Sequence, residues 1–365
     1  MPLAGTTFPA RIAIATDAWK PQVNGVVRTL DETISRLAAR GHEVMTITPD
    51  LFANLPMPFY NEIRLALAPW RGAARRLAAF SPDIVHIATE GPIGWATRRW
   101  CLKHGVPFTT AFHTRFPDYV AVRTGLSPER FWPMMQCFHA PSRAVLAATP
   151  SLRKELVGRG IAPVMPWSRG IDAGLFHPNV DADPAIANLP GPVLLYVGRV
   201  APEKGLDDFL RCQHSGSKVV VGDGPALAAL KARYPDAHFM GRLTGTALAS
   251  AYAAADCFVF PSRSDTFGLV MVEALACGVP VAGFPVQGPI DVVGPAGRGG
   301  MNEQLFPIGA VDEDLDTAIA RALQCRREDC ARYGAEYSWE AATDQFVAAL
   351  SEALAGALEV DPVAA

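Results

Sequence analysis

The chain has 365 residues, half of them apolar and 19% charged, with a formal net charge of -3. That length exceeds the roughly 250–300 residues at which single hydrophobic cores stop growing, so two domains are expected. Its 31 Gly and 31 Pro are spread along the chain rather than clustered, which excludes disordered, collagen-like and coiled-coil classes.

In chain order, short apolar runs alternate with segments of helical length, the pattern of parallel sheets with crossover helices. RIAIATD (Arg11 to Asp17), EVMTITPD (Glu43 to Asp50), DIVHIAT (Asp83 to Thr89), VPFTTAFHT (Val106 to Thr114) and AVLAATP (Ala144 to Pro150) are predicted strands. Val26 to Arg40 and Ile93 to Lys103 are predicted helices between them. The stretch His177 to Pro192 has the Pro, Gly and Asp content of a linker. A second series then starts at PVLLYVGRV (Pro192 to Val200) and runs through KVVVGDG, AHFMG, CFVFPS and VPVAGFP, each followed by helical spacing. Glu340 to Glu359 is one more amphipathic helix. The expected fold class is therefore α/β, with two doubly wound parallel-sheet domains. One spans residues 1–180 and the other 190–338, and residues 339–360 return to the first. Ligands of such sheets sit beyond the carboxyl ends of the strands, so a cleft between two facing domains is the place to look for chemistry.

The net charge conceals an asymmetry. Up to Asp172 there are 20 Lys and Arg against 12 Asp and Glu; beyond it there are 13 against 24. The basic half suits phosphates or an anionic membrane surface. Its cations (Arg71, Arg75, Arg76, Arg98, Arg99 and Lys103 among them) lie among apolar positions without an aromatic-rich nucleic-acid motif, so no nucleic-acid partner is expected. A solvated basic face is the bland alternative. No apolar run approaches the roughly 18 residues of a membrane-spanning helix, and the opening residues run straight into a strand pattern, so a cytoplasmic protein is expected. Seven cysteines without a CxxC pair or a zinc-type cluster read as reduced thiols.

Five features carry possible chemistry. Lys20 to Gly25 follows the first strand, and Asn24 and Gly25 would place free amides at a helix N-terminus, a site for phosphate; an ordinary strand-to-helix turn is the bland reading. Gly198-Arg-Val-Ala-Pro-Glu-Lys-Gly205 follows the first strand of the second series, where Arg199 and Lys204 could clamp a diphosphate and neutralise it as a leaving group. It is not a P-loop, which needs GxxxxGK and then Ser or Thr. Gly222-Asp-Gly224-Pro225 either lets the backbone approach a ligand or is simply a tight turn. In the segment Pro261 to Pro280, Asp265 and Thr266 occupy a strand-to-helix loop, and the amides of Phe267, Gly268 and Leu269 would start a helix beneath a phosphate. Glu273, eight positions after Asp265, is a carboxylate inside an apolar helix and needs a partner: a ribose diol, or a core salt bridge. Last, His113 ends a strand and could donate to a substrate oxygen, as could Glu90 accept from one; a structural histidine is the alternative.

Together these pieces resemble the retaining GT-B glycosyltransferases of family 4, marked by an acid, seven residues and a Glu. GRVAPEKG, GDGP and PSRSDTFGLVMVEALACGVPV stand in that family's order, and the resemblance covers nearly the whole chain. It implies two Rossmann-like domains facing a central cleft, an acceptor in the first and a nucleotide diphosphate-sugar in the second. Arg199 and Lys204 would then contact the diphosphate, Glu273 the ribose, Asp265 with the Phe267 to Leu269 amides the sugar and phosphate, and His113 the transferred sugar. Gly198, Gly222, Gly224 and Thr266 would belong to the same donor site. The first acid is Asp265 where most members carry Glu, one methylene shorter. TDAWKPQVNGVVRTL, ATEGPIGWATRRW, FHTRFPDYV and WSRGIDAGLFHP are similar to the glycolipid-forming branch, which includes glucosyl- and glucuronosyl-diacylglycerol synthases, sulfoquinovosyl transferases and GDP-mannose-dependent α-mannosyltransferases.

The resemblance implies a hexosyltransferase that retains configuration, with the leaving phosphate taking the acceptor's proton and no protein nucleophile. UDP-glucose or UDP-glucuronate is the favoured donor, GDP-mannose the alternative, and a lipid such as diacylglycerol the expected acceptor, reached from the inner face of an anionic membrane. No cofactor is expected, and no metal: Asp181-Ala-Asp183, Asp312-Glu-Asp314 and Asp314-Leu-Asp316 fall in linker or helix stretches rather than after a strand. A nucleotide-sugar epimerase, a non-catalytic sugar-nucleotide-binding subunit and a dehydrogenase are the rivals, the last weakened because no GxGxxG follows the first strand.

Overall fold

A computed structural model describes residues 10–22, 25–57, 60–113, 117, 126–263, 267–301 and 303–356. The chain divides into two compact units, Met1–Ser168 with Glu340–Ala365, and Arg169–Trp339.

The first unit holds a parallel sheet of β1 (Arg11–Ala15), β2 (Glu43–Ile47), β5 (Ile84–Ile87), β6 (Phe108–Phe112), β7 (Val145–Ala147) and β8 (Val164–Pro166). Their order is β2-β1-β5-β6-β7-β8, so the winding reverses between β1 and β5. An antiparallel hairpin, β3 (Asn54–Met57) with β4 (Tyr60–Ala66), stands apart from it. Strands covered on both faces must be apolar throughout, and β5, β6 and β7 are buried at every position. Helix Gly25–Ala39 buries Val27, Leu30 and Leu37 along one stripe. The chain's last helix, Trp339–Ala355, packs Phe346, Ala349, Leu350 and Ala353 into the same core as Ile12, Ile14, Leu30 and Leu37. Ion pairs from Arg36 to Glu340 (3.0 Å) and Arg40 to Asp344 (2.6 Å) flank that contact.

The second unit repeats the principle with β9 (Val193–Val197), β10 (Ser217–Val221), β11 (His238–Gly241), β12 (Cys257–Phe260), β13 (Val281–Gly283) and β14 (Gly309–Val311). All pairs are parallel, in the order β11-β10-β9-β12-β13-β14. That is the doubly wound arrangement whose reversal lies between the first and fourth strands, here β9 and β12.

The unit boundary falls earlier in the chain than the expected linker at His177 to Pro192. Residues 169–180 go with the second unit because Ile171 and Phe176 are buried in its core, and Ile171 bridges to Ser338 in parallel. The expected end of the last helix, 357–360, lies outside the described residues.

Candidate nucleotide-sugar site

The reversal point of the second sheet opens a crevice of about 360 Å³ beyond the carboxyl ends of β9 and β12. One wall is Tyr196, Val197, Gly198, Arg199 and Lys204; the other is Phe260, Ser262, Gly268, Leu269 and Val270. Each wall is fixed from below. Tyr196, 2% exposed, donates its hydroxyl to the Arg199 carbonyl at 2.9 Å and so sets the turn from which the guanidinium departs. Pro202–Lys204 forms one 3₁₀ turn closed by the Lys204 N–H on the Ala201 carbonyl at 3.0 Å, returning the lysine to the crevice. Two cations at one end of a concave, largely apolar site are what a diphosphate requires.

The Gly222-Asp-Gly-Pro turn is explained by loop packing. A Cβ on Gly222 would lie 1.8 Å from the Gly198 carbonyl oxygen, and its φ of +144° also disfavours side chains. The Val200 N–H donates to the Asp223 carbonyl (2.9 Å) and the Ala226 N–H to the Val200 carbonyl (3.0 Å), so the loops after β9 and β10 are zipped together. Gly222 and Asp223 thereby border a second crevice of about 350 Å³ that shares Gly198 and Arg199 and adds Arg242 and Leu243. Gly224 lies beneath the loop and lines neither crevice.

Helix Leu269–Ala276 begins at the crevice. Gly268, at φ +81°, lets the chain turn into it with the loop backed against Phe260 and Met271. Leu269 and Val270 of its first turn line the crevice together with Arg199 and Lys204, and an anion at a helix N-terminus complements the helix dipole. The helix starts two residues later than the expected Phe267, so Glu273 is just over one turn along it. Its carboxylate is 8% exposed, and Oε2 accepts from the Tyr252 hydroxyl at 3.0 Å. Burial and the neighbouring Glu273 charge push the Tyr252 phenol well above its ordinary pKa, which keeps it a proton donor to the carboxylate. The side chain of Phe267 turns to the core, its ring 6.1 Å from that of Tyr337.

In the first unit, the reversal between β1 and β5 is filled by the protein itself. Asp17, 6% exposed, accepts from the Ile93 and Gly94 amides (2.9 and 3.2 Å) and from the Thr89 hydroxyl (3.0 Å) at the start of helix Pro92–His104. Burial raises its carboxyl to about 6, with these donors pulling it down and Glu90 pushing it up. Glu90, in the same turn, stands 3.3 Å from Nε2 of the buried His139. Gly25 opens helix Gly25–Ala39, and its carbonyl accepts from the Thr29 hydroxyl. His113 directly follows β6, its ring 5.1 Å from that of Trp167.

Among the expected site residues, Gly198, Arg199, Lys204, Gly268 and Leu269 thus share one crevice, with Gly222 at its neighbour and Glu273 along the helix that leaves it. His113 and Gly25 belong to the other unit. Asn24, Asp265 and Thr266 lie outside the described residues. The sequence reading missed Tyr252, Arg242 and Ser262. Ser262 stood inside the quoted motif, whereas Tyr252 precedes Glu273 by 21 positions and has no local signal.

Two doubly wound parallel-sheet units in one chain are the architecture of the GT-B glycosyltransferases. The chain belongs to glycosyltransferase family 4: residues 23–175 match Glycosyltransferase Family 4 and residues 191–325 match Glycosyl transferases group 1. A GDP-mannose-dependent alpha-mannosyltransferase of Mycolicibacterium smegmatis is 31% identical, covering 89% of this chain and 90% of that protein. A sulfoquinovosyl transferase of Arabidopsis thaliana is 28% identical over 92% of this chain and 72% of its own. Among solved structures, a glycosyltransferase of Rickettsia africae superposes with a TM-score of 0.68 at 16% identity, covering 95% of this chain and 99% of that one. The chain is a hexosyltransferase. Among the described residues no helix is long and apolar enough to cross a membrane.

Proposed function

We propose that the protein transfers mannose from GDP-mannose, with retained configuration, to a hydroxyl of a lipid acceptor at the inner face of the plasma membrane, without a metal or other cofactor. The observation that carries the donor half is the crevice at the β9/β12 reversal, where Arg199 and Lys204 face the start of helix Leu269–Ala276. Charge that develops on the departing diphosphate meets two fixed cations and a helix N-terminus, so the barrier falls without a protein nucleophile. The leaving phosphate takes the acceptor's proton, and Glu273, steadied by Tyr252, holds the ribose. GDP-mannose ranks first because relatives at 29–31% identity carry it in their names. UDP-glucose or UDP-glucuronate to diacylglycerol is the second reading, supported by the glycolipid-branch motifs and by the similarity to the sulfoquinovosyl transferase.

Thermal stabilisation by a panel of GDP- and UDP-sugars tests it, since a ligand at a hundred times its Kd adds about 2.7 kcal/mol. GDP-mannose should give the largest shift and, with lipid acceptors, release GDP at a rate EDTA does not change. A response to UDP-sugars alone would replace the donor, and silence across the panel would refute the transferase reading of the crevice.

A further inference from the structure

At the carboxyl edge of the first sheet, Ser142, Thr110, His139 and Glu90 join in one polar chain that admits a single arrangement of protons. Ser142 Oγ stands 2.7 Å from the His139 carbonyl, which only accepts, so the serine commits its proton there. Thr110 Oγ1, 3.2 Å from Ser142 Oγ, must then donate to the serine. With the threonine's proton also committed, the 2.8 Å contact between Thr110 Oγ1 and His139 Nδ1 requires Nδ1 to carry a hydrogen. The other ring nitrogen, Nε2, faces Glu90 Oε1 at 3.3 Å. His139 is 1% exposed and the Glu90 side chain 12%, and neither Nε2 nor Oε1 has another partner among the described residues. A neutral Nδ1–H ring would set a bare lone pair against a carboxylate oxygen inside the protein, an arrangement that burial penalises. One proton between Nε2 and Oε1 removes the conflict and leaves the pair without net charge, and imidazole, the stronger base, holds it as Nε2–H.

The backbone keeps the partners at this spacing. Arg98, on the helix that follows Glu90, donates to the Cys137 and Phe138 carbonyls (2.7 and 3.0 Å), and the rings of Phe112 and Phe138 flank the imidazole with centroids 5.9 and 5.1 Å away. Glu90 lies three residues beyond β5, where ligands of doubly wound sheets sit. Asp17, the other carboxyl at this edge, is taken by the Ile93 and Gly94 amides and the Thr89 hydroxyl, whereas Oε2 of Glu90 has no partner among the described residues. We infer that His139 is a positioning residue: through the one proton it shares with Glu90 Oε1, it fixes the carboxylate so that Oε2 accepts from a hydroxyl of the acceptor. The hydroxyl role rests on the transferase reading for its purpose; the shared proton does not.

The test reads the ring nitrogens by NMR in the full chain, isotopically labelled at histidine, with the His139 signals identified by their loss in His139→Gln. At neutral pH both Nδ1 and Nε2 should resonate as proton-bearing. In Glu90→Gln, whose amide can donate to Nε2, that nitrogen should revert to a bare acceptor while Nδ1 stays protonated. A bare Nε2 in the wild type, or an Nε2 unchanged by Glu90→Gln, would overturn the shared proton. Turnover of GDP-mannose with diacylglycerol reads the positioning. His139→Leu removes the N–H and should raise the acceptor KM about tenfold with kcat little changed, while His139→Gln, whose amide N–H replaces Nε2–H, should stay within about threefold of wild type. Both variants should keep the melting shift given by donor. Equal losses in the two, or none in either, would overturn the positioning role. A wild-type protein stabilised by donor but inert towards diacylglycerol would remove that acceptor and the purpose of the pair with it, while the nitrogen signals would still decide the proton.

Discussion

Removing one hydroxyl, by Tyr252→Phe, asks whether Glu273 is held ready for a ligand or merely tolerated in the core. The tyrosine is fully buried and the carboxylate 8% exposed, so their 3.0 Å bond is a charge-assisted one out of reach of bulk water. Such bonds contribute about 1.5–3 kcal/mol, and the phenylalanine ring refills everything except the hydroxyl. A unit of this size melts about 2–4 °C lower per kcal/mol, so the variant should lose about 3–12 °C by calorimetry. If Glu273 grips the ribose, a carboxylate no longer steadied at Oε2 should raise the donor KM about tenfold while kcat changes little. Glu273→Gln separates the two roles. Its amide oxygen still accepts from Tyr252, so stability should change less than in Tyr252→Phe while the KM rises more. Tyr252→Phe with unchanged melting and unchanged KM would refute the positioning argument, and Glu273→Gln with normal KM would refute the ribose contact.

Three further outcomes are expected. Arg199→Ala and Lys204→Ala should each lower kcat by about 10²–10³ with the melting temperature preserved, since both side chains line an open crevice; near-normal turnover in both would place the diphosphate elsewhere. Gly222→Ala would set a methyl group 1.8 Å from the Gly198 carbonyl oxygen, a backbone overlap no rotamer relieves, and should cost more than about 3 kcal/mol in denaturant titration. Asp17 has a pH signature: its folded pKa of about 6 lies above the ordinary 3.8, so between those values the folded chain binds the proton that the unfolded chain releases. Its contribution is therefore fully present below about pH 4 and lost as pH rises through 6, a difference of about 3 kcal/mol that Asp17→Asn should remove from the stability profile. A wild-type profile flat between pH 4 and 7 once other groups are subtracted would show that the amide donors hold the carboxylate ionised.

Most of the strand ladder was legible because parallel strands buried on both faces must be written as apolar runs. RIAIA, VLLYV and CFVF announce themselves, and each expected run overlaps an observed strand. The hairpin Asn54–Met57 with Tyr60–Ala66 and the edge strands Val164–Pro166 and Gly309–Val311 carry no such signal: Leu55, Pro56 and Arg64 of the hairpin are exposed, and three-residue segments are too short for a period. Helix Trp70–Phe80 was also missed: with only Ala73 and Leu77 buried, its apolar stripe is too thin to mark a period, although its arginines had been counted.

The crevice at the β9/β12 reversal was legible for a different reason. Arg199, Lys204 and Gly268 lie in the loops that follow β9 and β12, two, seven and eight residues past the strand ends, where local spacing and topology coincide. What lies across the fold did not show. Neither Tyr252 on Glu273 nor Gly222 against the Gly198 carbonyl can be read from spacing, because each depends on how two loops or helices pack. The unit boundary is of this kind too. The sequence marks a linker by composition, at His177 to Pro192, while the fold assigns residues by which core they enter, and Ile171 and Phe176 enter the second. By itself the sequence determined which chemistry the protein carries, since apolar period and charged loop ends are local properties. The tertiary structure decided how Gly222 packs against the Gly198 carbonyl and which tyrosine supports the buried acid, because each is a contact between residues the chain keeps apart.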